Sequence, residues 1–222
     1  MLKKVLLILV SGIMAASLVS CGNSKKQEVS ETKEPVKVEE KVFIGEGEWA
    51  SDYTKDQVSV LNSEISTRIE DVARFYDLEY SKEEKVKESN GETINDNNIY
   101  VDNLNPEPNR MESMYYGFKM YGEDMASGSL NLKIGFKLDV DQIKTEDKFN
   151  FEETSIAEFS EAMTNNPERD YSELDSQIKD IIINKNAEGT IETNLNGLVE
   201  TITIKDDFLL YKLDSKKYDF KK

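Results

Sequence analysis

The chain has 222 residues, 38% hydrophobic and 9% aromatic, with 28 basic against 44 acidic side chains, a net charge of −16 and a pI of about 4.6. That is enough apolar material for one core or two small ones. The carboxylate excess argues against a nucleic-acid binder and sets the expectation that polyanions are repelled. With no histidine and a single cysteine, the chain also lacks the parts for a Ser-His-Asp triad, an imidazole base or a histidine-ligated zinc.

The first element is a targeting segment. Met1-Leu2-Lys3-Lys4 is basic, Val5 to Val19 is apolar or small throughout, and Ser20 precedes the cysteine, Cys21. This is the layout of a secretory signal over residues 1–20. An apolar run of 15 residues falls short of the roughly 20 that cross a bilayer. Leu18-Val19-Ser20-Cys21 resembles the lipobox of bacterial lipoproteins: a branched residue, a tolerant position, a small residue and the cysteine. The resemblance covers the first 21 residues. It implies that the Cys21 thiol carries diacylglycerol, that cleavage falls between Ser20 and Cys21, and that the chain is held on the extracytoplasmic face of the cell membrane. Two or more acyl chains anchor stably, at about 0.8 kcal/mol per buried methylene. The Lys, Glu and Asn bias fits a low-GC, Gram-positive source and hence its cell surface.

Residues 21–41 read as a lipidated start followed by a charged, flexible tether. Gly22 to Lys41 carries five Lys and five Glu, so the charge deficit lies further on: from Val42 there are 21 basic against 39 acidic residues, a net of −18. A flexible chain of that length holds its cargo about 25 Å from the surface.

Residues 42–222 are expected to form one extracytoplasmic domain. Thr54 to Gln57 has the spacing of a capping box, with Tyr53 and Val58 as a hydrophobic staple. The apolar period Val58, Leu61, Ile65, Ile69, Val72, Tyr76 then predicts a helix over 55–78. Trp49, the single tryptophan, precedes it and is either a ligand platform or a plug on the helix start. Residues 81–98 are polar with a turn signal at Asn90-Gly91, read as a loop or an exposed hairpin, and 98–103 as a short strand.

The period then becomes two. Residues 114–122 and 129–138 form a hairpin in which Leu130, Leu132, Ile134, Phe136 and Leu138 alternate with polar positions. Within the first arm, Tyr115, Tyr116, Phe118 and Tyr121 make the candidate partner surface, together with Trp49. Tyr115 and Tyr121 share one face and Tyr116 and Phe118 the other, so only one set is free to be exposed.

The acidic run from Asp139 to Glu161 fails as an EF-hand, since Ile143, Lys144 and Asn150 stand where a ligand, a glycine and a bidentate acid are needed. Ser155 with Glu158 has capping-box spacing for a short helix carrying Ile156, Phe159 and Met163. Leu174, Ile178, Ile181 and Ile182 mark another helix, and Asn196-Gly197 joins two strands of a C-terminal meander that closes with residues 208–213.

The expected fold is α+β: an antiparallel sheet with helices packed on one side, with a division into two helix-plus-three-strand units, 55–138 and 172–213, as one way of organising it. No catalytic residue, metal site or cofactor is expected. The eleven glycines form no phosphate loop, and nothing singles out a glycosidase-type acid pair among 44 acidic residues. The function expected is therefore non-enzymatic: a membrane-anchored module binding a partner protein, a peptide or an envelope component. Carriage of an apolar ligand and carboxylate-dependent hydrolysis are the alternatives.

Overall fold

The computed structural model describes residues 52–103 and 106–222. The predicted signal, Cys21, the tether and Trp49 lie outside these residues.

Helix α1 runs Lys55–Phe75. Its capping box forms as the spacing requires: the Thr54 hydroxyl accepts from the Gln57 N–H and the Gln57 side chain accepts from the Thr54 N–H. Val58, Ile65, Ile69 and Ala73 are buried along one stripe. The helix stops three residues before the predicted end because Asp77 turns left-handed, with φ +56°. That turn brings the Leu78 N–H back to the Ala73 carbonyl and leaves Tyr76 on the surface.

The polar stretch after it resolves as a hairpin, β1 (Tyr80–Ser89) and β2 (Glu92–Asp102), closed by Asn90 and Gly91 with φ of +53° and +77°. Both values match a type I′ turn, which Asn-Gly favours because glycine tolerates positive φ without cost. The strand foreseen at 98–103 is thus the end of a longer one. β3 (Arg110–Tyr121) and β4 (Ser127–Lys137) follow, with a bulge between Met111 and Ser113.

Short helices α2 (Val140–Glu146) and α3 (Ser155–Thr164) come next, separated by a 3-10 turn at Phe151–Glu153. Asp139, the residue that opened the failed calcium pattern, caps α2 through the Gln142 N–H at 2.9 Å. For α3 the cap is Thr154 rather than Ser155. Its hydroxyl donates to the Phe151 carbonyl at 2.7 Å and accepts from the Ala157 N–H, so Ser155 becomes the first helical residue and Glu158 falls one position too late for the expected box.

Helix α4 (Ser172–Asn184) buries Leu174, Ile178, Ile181 and Ile182. The meander β5 (Glu188–Leu195), β6 (Leu198–Lys205) and β7 (Phe208–Asp214) follows, and a two-residue strand β8 (Tyr218–Asp219) closes the chain.

The strands form one antiparallel sheet in the order β1-β2-β3-β4-β7-β6-β5, with β8 beside the start of β4. Two meanders meet at the β4–β7 pair. The first is α1 plus four strands, not three, because the polar stretch adds β1 and lengthens the strand expected at 98–103 into β2. Helix side chains meet one face of the sheet: the Tyr211 ring packs against Phe151, its hydroxyl reaches Ser160 of α3, and Gly189 lies under Ile181 of α4. The Arg68 side chain ties α1 to α3 by donating to the Ala162 carbonyl at 2.7 Å. Leu130, Leu132, Ile134 and Phe136 are all buried on this face, each contributing about 1.5–3 kcal/mol by removal from water.

Candidate functional site

Period-two geometry divides every strand into a covered and an uncovered set. On β3 the covered set is Met114, Tyr116, Phe118 and Met120; the uncovered set is Tyr115, Gly117, Lys119 and Tyr121. The four-residue aromatic surface expected from the sequence is therefore split. Tyr116 and Phe118 are each 1% exposed and belong to the core. The Tyr116 hydroxyl donates to Asn62 Oδ1 at 2.7 Å, and burial pushes its pKa far above the ordinary tyrosine range.

Tyr115 and Tyr121 stand on the uncovered face, half-buried. The Tyr115 ring lies over Gly117, where a Cβ would come within 2.6 Å of the Tyr115 hydroxyl, so the missing side chain is what lets the ring lie flat on the sheet. The Tyr115 hydroxyl donates to Asp96 Oδ1 at 3.3 Å, while Asp96 Oδ2 takes Lys87 Nζ at 2.7 Å. Burial first, and then the Asp96 charge, push the Tyr115 pKa up to about 12, so it is a neutral donor at working pH. Tyr121 shares a hydrogen bond of 2.9 Å with Ser129, and the Lys217 ammonium sits 4.2 Å from its ring centroid while bonding Glu92 at 2.6 Å.

The residues that sequence reasoning missed are the cations between these rings. Across β3, β4, β7 and β6 the strand register sets Arg110, Lys119, Lys133, Lys137, Lys205 and Lys212 on the uncovered face, against the single acid Asp214 among regular outward positions. Lys133 and Lys212 are directly paired across β4 and β7, an arrangement that costs stability for like charges. Asp214 lies near both. Its carboxyl is pushed up by burial, opposed by Lys133, Lys212 and Lys119. On the flanking strands Asp96 stands opposite Lys119 and Glu188 opposite Lys205 on the same face, so in a chain of net charge −16 the excess of positive charge is confined to the Lys133–Lys212 centre of the open face. The sequence signal was present as lysine at alternate positions, 133 and 137 in one strand and 119 in its neighbour, but its meaning depends on which strands become adjacent.

The most buried carboxylate is elsewhere, on the helix-covered side. Glu200 is 1% exposed and its two oxygens accept four hydrogen bonds: two from the Arg169 fork at 2.6 and 2.7 Å, one from Thr193 at 2.7 Å and one from Tyr211 at 2.8 Å. Because Tyr211 gives its proton to Glu200, Ser160 is the donor in the 2.8 Å contact between those two hydroxyls. Burial pushes the Glu200 carboxyl up, and the Arg169, Thr193 and Tyr211 hydrogen bonds outweigh it, holding it below the usual carboxylate range. With both its oxygens satisfied internally, this group fastens α3, the segment before α4, and strands β5 to β7 together. Among the described residues no cluster of acids or cysteine has the geometry to hold a metal ion, and no helix is long and apolar enough to cross a membrane.

Comparison with family models, with curated proteins and with solved structures finds no match to this chain.

Proposed function

We propose that the chain is a membrane-anchored binding module of the cell surface that holds an anionic envelope polymer, one carrying repeated phosphodiesters, on the open face of its sheet. The observation that carries this reading is the set of six cations against one acid at the regular outward positions of four adjacent strands, bordered by Asp96 and Glu188 on the next strands and by Tyr115, Tyr100 and Tyr121. Net charge argues the other way at long range. At physiological ionic strength, however, exposed charges are screened within about 8 Å, so a polymer lying on the sheet responds to the lysines beneath it more than to carboxylates on distant surfaces. A flat face about four strands wide, at about 4.8 Å per strand, suits an extended chain better than a compact ligand. The inward positions of β3, β4 and β7 are filled by packed apolar side chains, which disfavours carriage of an apolar ligand. Glu200 has no lone pair left for catalysis.

The anchor follows from Leu18-Val19-Ser20-Cys21. Cys21→Ser is expected to abolish labelling by radioactive palmitate and to shift the protein from the membrane fraction to the culture medium. Retention of label in that variant would contradict the anchoring half of the proposal. For the binding half, the protein purified from membranes is incubated with cell-wall fragments before and after chemical removal of their phosphodiester polymers. Co-sedimentation with intact fragments alone is the expected result, and equal sedimentation with stripped fragments would overturn it.

A further inference from the structure

On the covered side of the sheet, the β1–β2 hairpin runs out from under α1, and the residue types change where it does. Inward positions Ile99 and Val101 of β2 are buried, yet the next two inward positions are amides, Asn97 and Asn95, joined by a 3.2 Å hydrogen bond. The helix surface facing them is polar as well, with Asn62, Ser63, Ser66 and Thr67. Two apolar surfaces would have closed on each other here. Two polar ones leave an open groove of about 450 Å³, with Ile99 and Tyr116 at its floor, inside the size range of small-molecule sites.

The hydrogen-bonding capacity of the lining decides what it can take. Asn62 Oδ1 is engaged by the Tyr116 hydroxyl, which leaves its Nδ2 as a free donor among the described residues. Asn97 commits only its Nδ2, so its Oδ1 is an open acceptor. Ser63 and Thr67 donate to the carbonyls of Ser59 and Ser63 and keep their lone pairs; Ser66 is uncommitted among the described residues. The helix wall therefore offers both donors and acceptors, and the β2 wall an acceptor at Asn97 Oδ1. No cation is spare: Lys82 is bonded to Glu70 at 2.6 Å and Glu84 beside it has no partner among the described residues, so the groove repels anions that the opposite face attracts. It offers no apolar pocket of the kind that anchors a peptide side chain.

We infer that this groove binds a neutral saccharide bearing hydroxyl and acetamido groups. Such a ligand presents donors and acceptors at every ring position and pairs amide with amide at Asn62 and Asn97. Nothing in the inference depends on the cationic face.

The test is saturation-transfer-difference NMR of the full chain, purified from membranes in detergent, with the tetramer of N-acetylglucosamine as probe. The expected result is transfer to the ring and acetyl protons, with a dissociation constant near the millimolar range. Asn97→Ala should weaken it about fivefold, the scale of one neutral hydrogen bond. Ser66→Trp, which fills the groove from the helix side, should abolish transfer. Replacing Lys119, Lys133 and Lys212 by Gln should leave it unchanged, which separates this site from the sheet face. No transfer to the tetramer at about 10 mM, a concentration well above the expected constant, would overturn the inference. So would transfer that persists undiminished in both groove variants.

Discussion

Glu200→Ala is expected to cost about 3–5 kcal/mol of folding stability, the scale for removing one partner of a buried ion pair. The substitution does more than delete a contact. Arg169 keeps its charge in a site where it is mostly buried and loses both hydrogen bonds of its fork, and Thr193 and Tyr211 lose their acceptor. Arg169→Ala should cost a similar amount for the mirror reason, an unpaired carboxylate. Replacing both together by Met and Leu should recover most of the loss, because neither charge is then left alone. Urea unfolding followed by circular dichroism reads all three. A single-variant cost under about 1 kcal/mol, the scale of an exposed ion pair, would contradict the closed network.

The same pair fixes a pH dependence. The native Glu200 carboxyl titrates below its ordinary value, so its contribution is complete above the unfolded value of about 4.3 and is lost as pH falls through the lower native value. Glu161, Asp175 and Asp214 are shifted upward, each by burial first, and work in the opposite sense on acidification. The comparison that isolates Glu200 is therefore wild type against Glu200→Gln. The stability difference between them should shrink as pH drops below about 4 and hold constant from pH 5 to 8.

Phe151→Ala carries the second large effect, about 3–5 kcal/mol from lost transfer energy and the cavity left behind. Phe151 is fully buried. It stacks on Tyr171 at 5.1 Å, tilts against Tyr211 at 5.9 Å and meets the edge of Phe149 at 6.5 Å, while its N–H donates to Asp175 Oδ1 at 2.7 Å. It joins the 3-10 turn, α4 and the sheet in one aromatic cluster. The denaturation midpoint should fall with the slope unchanged. Because Tyr211 also serves Glu200, the double substitution Phe151→Ala with Glu200→Ala should deviate from the sum of the single costs. Strict additivity would mean that cluster and ion pair are independent.

The parts of this fold that sequence displayed plainly are those where local chemistry and burial agree. The Leu130 to Leu138 alternation, the Thr54 box and the Asn196-Gly197 turn, with φ of +52° and +86°, each needed only neighbouring residues to be understood. The β1–β2 hairpin was less legible because every β1 residue after Tyr80 is exposed. An edge strand with two wet faces has no alternation to detect, and it exists because β2 pairs with it. On β3 the parity of Tyr115 against Tyr116 was readable, but which set faces the helices was not. The paired lysines needed the β4–β7 contact, which brings together residues about eighty positions apart. Glu200 occupies an inward position between Leu198 and Ile202, which in itself signals a buried partner; that Arg169 supplies it is a tertiary fact.

Binding of a polyanion through the lysines of the open sheet face, as proposed above, has a specific signature in salt. The most direct measurement is the affinity of the purified protein for glycerol phosphate polymer as a function of salt, for wild type and for Lys119, Lys133 and Lys212 replaced by Gln. The account predicts wild-type binding that weakens steeply with added salt and a variant weakened about 100-fold, from about 1 kcal/mol for each lysine at an anionic surface, with a thermal unfolding midpoint no lower than that of wild type because the Lys133–Lys212 repulsion is removed. Equal affinities for the two proteins, or binding indifferent to salt, would contradict it.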